Sequence, residues 1–305
     1  MKKVIILLGP TGVGKTGASL FLARALDTEI ISADSMQIYR HMDRGTAKPS
    51  RAELATVRHH MINIVGPTES YSAGQYIDAI VPVIEDLHHQ GRVPVITGGT
   101  GLYIKAVTRG IFSGPSADQS LREELLLEEA ETKGCLYARL AEIDPDAAGR
   151  IDRNDLRRIV RGLEVCRKSS GKISDLQEKL TRPLPYEFIK IGLTRDREEL
   201  YDMIDKRVDA MIEAGLVDEV NSILAMHPDR TPMQAIGYKE MALYVSGEID
   251  LKEAVRLIKR NSRRYAKRQF TWFKREPLFR WLDLDLHDTE LAQEMVMNDY
   301  GQTGC

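Results

Sequence analysis

Cysteine is scarce in this chain of 305 residues: there are three, and no two have the spacing of a metal-binding pair. So small and odd a number argues against a disulfide framework and against a cysteine zinc site, and it favours a reducing compartment. The seven histidines are likewise not spaced with other donors as a zinc site requires. We therefore expect a cytoplasmic location and structural roles for the histidines.

Long apolar runs are also lacking. No segment has the length of a membrane span, so we expect no membrane partner. The first basic residues are followed by an apolar run of only five residues, 4–8, which is too short for a signal peptide. Apolar residues make up 43% and charged residues 29% of the chain, a balance that is typical of a globular protein and argues against extended disorder.

The chain has no large excess of one charge, since its formal total is -2. The charges are unevenly distributed, however: from Lys252 to Arg275 ten basic residues stand against one acid, and no basic residue follows Arg280. Aromatic residues are interleaved with the basic ones in 259–275, as in surfaces that contact RNA. A solvated basic helix with its aromatics packed inward would give the same sequence, so both interpretations stay open.

The strongest motif is G-x-x-x-x-G-K-[ST], directly after the apolar run 4–8 and before a helical pattern. A glycine-rich loop in this position lets successive backbone N–H groups surround a phosphate, the lysine adds a positive charge, and the hydroxyl that follows can bind Mg²⁺. The start of the helix directs its positive dipole to the same place. The motif predicts a site for a diphosphate or polyphosphate, formed by Gly9, Pro10, Thr11, Gly12, Val13, Gly14, Lys15 and Thr16.

Short apolar runs that indicate buried strands recur along the chain, with helical patterns between several of them. This alternation predicts an α/β fold with a P-loop NTPase-like parallel sheet flanked by helices. Turn-rich stretches at 113–116 and 181–185 bracket a region with helical patterns only. We expect an inserted all-helical domain at 115–186, and a core of 1–114 and 187–305 whose C-terminal region is helical. The predicted strands are 4–8, 29–32, 61–65, 93–97 and 189–193.

Two predicted helices carry arginines away from their apolar faces. In the insert, Asn154 is a plausible N-cap of a helix that ends near residue 168, and its polar face presents Arg157, Arg158 and Arg161. The helix predicted at 198–214 buries one apolar stripe, and Arg207 points away from it. These arginines are candidates for contacts with anions.

Two polar residues follow predicted strands. Asp34 comes directly after the second strand, and Thr100 follows the glycines after the fourth. Ligands of open parallel sheets bind at the carboxyl ends of the strands, so both residues are expected near the phosphate loop. Asp34 can be a helix cap or a second-shell Mg²⁺ partner as well as a catalytic acid or base, and Thr100 can be a helix cap or a substrate contact.

Several segments, in this order, resemble the motifs of tRNA dimethylallyltransferases. The resemblance extends over nearly the whole chain between residues 9 and 273, and an ordered set of motifs is much more specific than a phosphate loop alone. The matching segments are 9–16, 34–39, 42–49, 98–103, 235–240 and 266–273.

The resemblance implies transfer of a dimethylallyl group from dimethylallyl diphosphate to N6 of adenosine 37, beside the anticodon of certain tRNAs. The phosphate loop would then hold the diphosphate of the donor instead of a nucleotide. By the same resemblance Asp34 is the general base, Thr11, Lys15 and Thr16 contact the donor with Mg²⁺, Arg207 is a further diphosphate contact, and Thr100 acts beside the reacting centre.

The resemblance also implies a set of tRNA contacts and a tRNA anticodon stem-loop as the partner. These contacts lie in the segment after the second strand, in the insert, in the segment 237–239 and in the basic run. The residues are Asp34, Ser35, Met36, Gln37, Thr100, Arg157, Arg158, Arg161, Gly237, Tyr238, Lys239, Lys267 and Arg268.

Three other functions remain open at this point. A dimethylallyltransferase that acts on free AMP or ADP would share the phosphate loop and the acid. A P-loop small-molecule kinase would bind ATP in the loop and transfer a phosphoryl group. A nucleotide-switched RNA-binding protein would carry out no transfer. The insert and the basic run favour tRNA, and we expect a monomer.

Overall fold

The structure is a computed structural model that describes residues 2–112, 114–169, 171–276 and 280–284. Its sheet has six strands, all pairs of which are parallel, in the order β3-β2-β4-β1-β5-β6. The strands are β1 (Lys3–Leu8), β2 (Ile30–Ala33), β3 (His59–His60), β4 (Val95–Gly98), β5 (Glu187–Thr194) and β6 (Arg280–Asp283). The predicted α/β class with a parallel sheet flanked by helices is confirmed.

The described residues form thirteen α-helices and a short 3-10 helix at Pro232–Gln234. None of these helices combines the length and the apolar character that crossing a bilayer requires. The helices are α1 (Lys15–Ala25), α2 (Arg51–Thr56), α3 (Ala73–His89), α4 (Gly101–Arg109), α5 (Gln119–Glu131), α6 (Cys135–Ile143), α7 (Pro145–Ala148), α8 (Leu156–Ser169), α9 (Ile173–Leu180), α10 (Arg197–Glu213), α11 (Leu216–Ala225), α12 (Tyr238–Val245) and α13 (Leu251–Phe273).

Strand β1 lies in the middle of the sheet and is buried over 4–8, as expected for a parallel strand that is covered on both faces. Ile5 and Leu7 belong to a core cluster with apolar residues of α1, α10 and α13. Leu8 pairs with Gly98 of β4, and Gly98 pairs with Ala33 of β2. This register places the ends of β1, β4 and β2 side by side at one edge of the sheet.

Two strand predictions differ from the structure. The run 61–65 is not a strand: Met61 and Asn63 have φ values of +63° and +58°, outside the extended region, and Val65 makes only an isolated bridge with Tyr39. The third strand is instead the two-residue β3. Strand β6 was not predicted, because we expected the chain after residue 193 to be helical almost to its end; β6 adds to the edge beside β5.

The chain divides into two compact units, 1–104 with 185–305, and 105–184. The second unit contains the helices α5 to α9, with a core cluster around Leu136, Leu140 and Ile159 and a second one around Val165 and Cys166. It starts before residue 115, where we predicted the insert to begin. One reason is Gly110, whose Cα lies so close to Arg182 that a Cβ would be 2.1 Å from the Arg182 carbonyl oxygen.

Helix α8 is capped one residue later than predicted. Asp155, not Asn154, precedes the helix, and its Oδ1 accepts from the backbone N–H of Arg158 at 3.2 Å. The N–H of Asn154 donates to the Asp152 side chain in the turn before the helix. Cys166 lies on the buried face of α8, as expected for core packing.

Candidate active site

The phosphate loop connects β1 to α1 at the middle of the sheet edge. Gly12 and Gly14 have φ values of +87° and +104°, which glycine adopts without steric cost. A Cβ at Gly12 would also lie 2.8 Å from Cγ1 of Ile204 in α10. Val13 is fully buried, so its contribution to an anion site is its backbone N–H. These constraints explain the glycine at 14, which the motif requires, and the glycine at 12, where the motif allows any residue.

Lys15 is folded back onto its own loop. Its Nζ donates to the carbonyl oxygens of Gly9 at 2.9 Å and Pro10 at 2.8 Å. Burial lowers the pKa of Lys15 to about 8; the nearby Arg207 also lowers this pKa, and Asp34 raises it. A cation so placed would gain a strong partner from any anion that enters the loop.

Arg207 of α10 also reaches the phosphate loop. Its Nη1 donates to Oγ1 of Thr11 at 3.3 Å. Burial lowers the pKa of Arg207, and the charge of Asp34 acts in the opposite direction. Leu200, Ile204 and Val208 form the buried stripe of the same helix, and we predicted that Arg207 points away from it. Arg207 instead lies beside the stripe, because Ile204 packs against Gly12 of the same loop that Arg207 contacts. The structure thus brings together two cations that are far apart in the sequence.

Asp34 lies at the end of β2 and uses its two oxygens differently. Its Oδ1 accepts from the backbone N–H of Met36 at 2.8 Å and of Gln37 at 3.4 Å, which fixes a turn. Its Oδ2 has no hydrogen-bond partner among the residues that the structure describes. Asp34 therefore holds a turn and does not cap a helix, since the next helix along the chain begins only at Arg51. The catalytic role and the role as a Mg²⁺ partner stay predictions.

Thr100 holds the Asp34 turn from the neighbouring strand. Its Oγ1 accepts from the backbone N–H of Ser35 at 2.9 Å and donates to the Ser35 hydroxyl at 3.2 Å. Glycine at 98 permits this approach, since a Cβ there would lie 2.3 Å from the carbonyl oxygen of Ala33. The hydroxyl of Thr100 is thus engaged with Ser35, beside the carboxylate of Asp34.

The amide of Gln37, predicted to contact RNA, is engaged within the protein. Its Oε1 accepts from the Ser32 hydroxyl at 3.0 Å, and its Nε2 donates to the carbonyl oxygens of Ala47 at 3.3 Å and Thr46 at 3.5 Å. Ser35 and Met36 are half-buried, as Gln37 is. Gln37 therefore ties the Asp34 turn to the loop that follows β2.

The segment 237–239 is only partly available to RNA. Tyr238 is fully buried, and its hydroxyl donates to Glu219 at 2.5 Å. Its ring lies against Gly45, so the predicted RNA contact of this side chain is not supported. Gly237, with φ +100°, starts α12, and Lys239 is half-exposed beside Glu240. Tyr238 holds the segment from inside the core.

Six of the eight basic residues of α13 fall into two groups. Lys259 and Arg263 form ion pairs with Asp209 and Asp205 of α10, and Arg256 pairs with Glu253. A second group is exposed and makes no ion pair within the described part of the chain. We call this group the exposed basic stripe; it consists of Arg264, Lys267 and Arg268.

The aromatic residues of α13 pack mostly inward. Phe273 is fully buried, and the Phe270 ring lies edge to face with Trp281. The Trp272 ring lies against Gly101, where a Cβ would be 2.8 Å from the ring. Tyr265 is half-buried under Arg268, whose guanidinium lies 5.7 Å from the ring centroid. The inward-packing interpretation is correct for these rings, and the exposed basic stripe stays accessible.

The three arginines of the insert also differ. Arg161 forms an ion pair with the fully buried Glu164 and donates to the carbonyl oxygen of Pro115 at 3.0 Å. Arg158 is exposed and pairs with Asp155 at 3.3 Å, and Arg157 is exposed. Arg161 is therefore committed to the structure of the insert, whereas the other two remain accessible.

Two buried polar residues of this region were missed from the sequence. Gln269 of α13 bonds to the phosphate loop at Thr11, and Glu219 of α11 accepts from the backbone N–H groups of Asp43, Arg44 and Gly45. The sequence feature that could have identified them is a polar residue on the otherwise apolar face of a helix. Gln269 follows the buried Ala266 and precedes the buried Phe273 on α13.

The fold and the site together define a phosphate-binding α/β protein of the P-loop type, in which two cations at the phosphate loop lie close to a carboxylate. Within the described residues one oxygen of this carboxylate accepts no hydrogen bond. Comparison with known proteins identifies its family. The family model described as "IPP transferase" matches residues 37–276. The chain belongs to the tRNA dimethylallyltransferase family.

Individual relatives agree along almost the full length of the chain. It is 50% identical over 303 residues to the tRNA dimethylallyltransferase of Thermodesulfovibrio yellowstonii, covering 97% of this chain and 96% of that protein. The crystal structure of the tRNA isopentenylpyrophosphate transferase of Bacillus halodurans is similar, with a TM-score of 0.73 and 42% identity over 99% of this chain and 96% of that one. A eukaryotic dimethylallyltransferase acting on tRNA has a TM-score of 0.81 and 29% identity over 99% of this chain and 80% of that one.

Proposed function

We infer that the protein transfers the dimethylallyl group of dimethylallyl diphosphate to N6 of adenosine 37, beside the anticodon of tRNA, and releases diphosphate. The observation that carries this inference is the proximity of Asp34, after β2, to Lys15, after β1, and to Arg207 of α10 at the edge of the sheet where β2, β4 and β1 end. The family of the chain and the names of its relatives support the same reaction.

The donor diphosphate would bind in the phosphate loop. The backbone N–H groups at the start of α1 point toward that site, and the helix dipole favours an anion there. Lys15 would exchange its two carbonyl partners for phosphate oxygens, and Arg207 would add a guanidinium from α10. Two cations on one anion explain how the loop can select a diphosphate without a nucleotide base.

The two cations also favour the departure of the diphosphate. Breaking the bond between the allylic carbon and the diphosphate oxygen leaves the bonding electrons on that oxygen. Fixed positive groups stabilise this developing charge more than they stabilise the bound donor, which lowers the barrier. The same carbon gains its new bond from N6 of the adenosine.

Asp34 would take the proton that N6 loses when the new bond forms. An exocyclic amine conjugated to a purine is a weak nucleophile, and a carboxylate within hydrogen-bond reach improves it. Oδ1 is held by the turn, so we assign the proton to Oδ2. To reach this oxygen the adenine has to leave its stack in the anticodon loop, as bases do in other enzymes that modify them.

We propose Mg²⁺ as the metal, carried with the donor. Thr16 is the residue of the motif that would bind it through its hydroxyl. The residues that the structure describes contain no cluster of three or more metal-binding side chains. This fits an ion that retains waters and is held by substrate phosphates, as Mg²⁺ commonly is. Its chemistry would be to neutralise charge on the diphosphate.

The exposed basic stripe of α13 is the surface that we assign to the tRNA backbone, with Lys239 and the insert residues Arg157 and Arg158 as further contacts. Each phosphate contact should contribute to the salt dependence of RNA affinity. Replacing Arg264 and Arg268 by Ala should weaken binding of an anticodon stem-loop and make the salt dependence less steep. Arg256→Ala, on the same helix but paired with Glu253, is the matched control and should change both much less.

The reaction is tested by mass spectrometry of nucleosides from an anticodon stem-loop incubated with the protein, Mg²⁺ and dimethylallyl diphosphate. We expect one adenosine to gain a dimethylallyl group. Parallel reactions with AMP or ADP as acceptor, and with ATP instead of the donor, test the other functions. Modified AMP with unmodified RNA, or ATP consumption without prenyl transfer, would contradict the proposal.

We further propose that the protein acts as a cytoplasmic monomer.

A further inference from the structure

Gln269 is a buried amide that joins three parts of the molecule. It lies on α13 and is only 6% exposed. Its Oε1 accepts from the backbone N–H of Thr11 in the phosphate loop at 2.8 Å. Its Nε2 donates to the carbonyl oxygen of Gly99, directly after β4, at 2.8 Å. One side chain thus connects the helix with the basic stripe, the phosphate loop and the turn that leads to Thr100.

An amide satisfies both partners at once. The Thr11 N–H needs an acceptor and the Gly99 carbonyl needs a donor, and a neutral side-chain amide supplies one of each. Space also limits the site, because a Cβ at Gly99 would lie 2.3 Å from Nε2 of Gln269. Leaving either backbone group buried without a partner is unfavourable, so the amide fixes the position of both segments.

Both segments carry parts of the site. Thr11 is also the residue that Arg207 contacts, so the loop at this point is fixed from two sides. Gly99 precedes Thr100, whose hydroxyl holds the Asp34 turn through Ser35. Gln269 therefore bonds both to the phosphate loop, which carries the proposed diphosphate site, and to the strand end that leads to the Asp34 turn.

We propose that Gln269 is a positioning residue that sets the distance between the phosphate loop and the Asp34 turn, so that the donor and the acceptor nitrogen meet in line. The proposal rests on the proposed prenyl transfer. It assigns to Gln269 no contact with either substrate. A displacement of the order of 1 Å between reacting groups can cost about a hundredfold in rate, so loss of the amide should act on catalysis.

The first test replaces the amide from its own side. Gln269→Met keeps the length of the side chain and loses both hydrogen bonds. We expect kcat/KM for the donor to fall by about tenfold to a hundredfold, while the affinity for the anticodon stem-loop changes less than about twofold. Thr271→Val removes a side-chain hydrogen bond elsewhere on α13 and should leave both quantities unchanged.

The second test displaces the amide from the opposite side. Gly99→Ala does not change residue 269, but its new methyl group takes the space of the Gln269 Nε2 atom, so the amide has to move. We expect the same loss as for Gln269→Met. In the double variant with Gln269→Ala the methyl group has room, so Gly99→Ala should then cause little further loss. If the two substitutions acted independently, the double variant would lose the product of the two single losses in donor kcat/KM.

The wild-type reaction separates the two proposals. Absence of prenyl transfer by the wild-type protein would refute the proposed function itself. If the wild type is active, a Gln269→Met variant with unchanged donor kcat/KM would overturn the positioning role, and so would a loss confined to RNA affinity. If the Gln269→Met variant does not fold, the effect of Gly99→Ala in the wild type is compared with its effect in the Gln269→Ala variant. If Gly99→Ala lowers donor kcat/KM by the same factor in both, the positioning role is overturned.

Discussion

Replacement of Asp34 by Asn separates the two tasks that the structure gives to this side chain. The Asn side chain keeps an oxygen in the place of Oδ1, which accepts from the N–H groups of Met36 and Gln37. In the place of Oδ2 it has an NH₂ group, which donates and cannot take a proton from N6. Asp34→Asn should therefore preserve the turn and remove the base.

The expected loss in rate is large. General-base catalysis contributes roughly a hundredfold to ten-thousandfold, which corresponds to about 3 to 5 kcal/mol in the activation free energy. Asp34→Ala loses in addition the two hydrogen bonds of Oδ1, each worth about 1 kcal/mol of stability. Asn and Ala should thus be similarly inactive, and the Ala variant should unfold at a lower temperature.

The assay is single-turnover prenyl transfer to an anticodon stem-loop at saturating donor, with stem-loop affinity measured separately. We expect the rate of the Asn variant to fall at least a hundredfold while its RNA affinity stays close to that of the wild type. An Asn variant that retains half of the wild-type rate would refute the assignment of Asp34 as the base. A proportional loss of RNA affinity would assign Asp34 to binding instead.

Three further predictions follow from neighbouring residues. Arg207→Ala should lower donor kcat/KM by roughly a hundredfold or more without changing RNA affinity; unchanged turnover would refute its diphosphate contact. Because the pKa of Lys15 is about 8, its charge, and with it donor affinity, should be lost as the pH rises through 8; calorimetry should show proton uptake on donor binding near that pH, absent in Lys15→Met. Glu219→Gln should lower the free energy of unfolding by about 2 to 4 kcal/mol, since its buried oxygens accept several N–H groups, whereas Tyr238→Phe should cost about 1 kcal/mol; a Glu219→Gln variant as stable as the wild type in urea would contradict this.

Most of the sheet could be predicted because its central strands are buried on both faces and so appear as apolar runs. The exceptions lie at the two edges. Strand β3 consists of His59 and His60, which have no apolar signature, and the apolar run that follows it turns through two residues with positive φ. Strand β6 has only four residues and contains Arg280 and Asp283, so its sequence does not indicate a strand.

The candidate site was predictable where residues act through local motifs. The phosphate loop, Asp34 and Thr100 each follow a strand, and parallel strands bring their carboxyl ends to one edge. Contacts between distant segments leave no such pattern. Gln269 reaches Thr11 across 258 positions of the sequence, and Glu219 reaches Arg44 across 175. The sequence placed Gln269 only within a basic run, and its role depends on packing.

The most direct test of the account is a crystal structure of the protein with an anticodon stem-loop and an unreactive analogue of dimethylallyl diphosphate. We expect the diphosphate in the phosphate loop, in contact with Lys15 and Arg207, and N6 of the flipped adenine within about 3 Å of Oδ2 of Asp34. A phosphate loop without the diphosphate, or an adenine whose N6 is out of reach of Asp34, would contradict it.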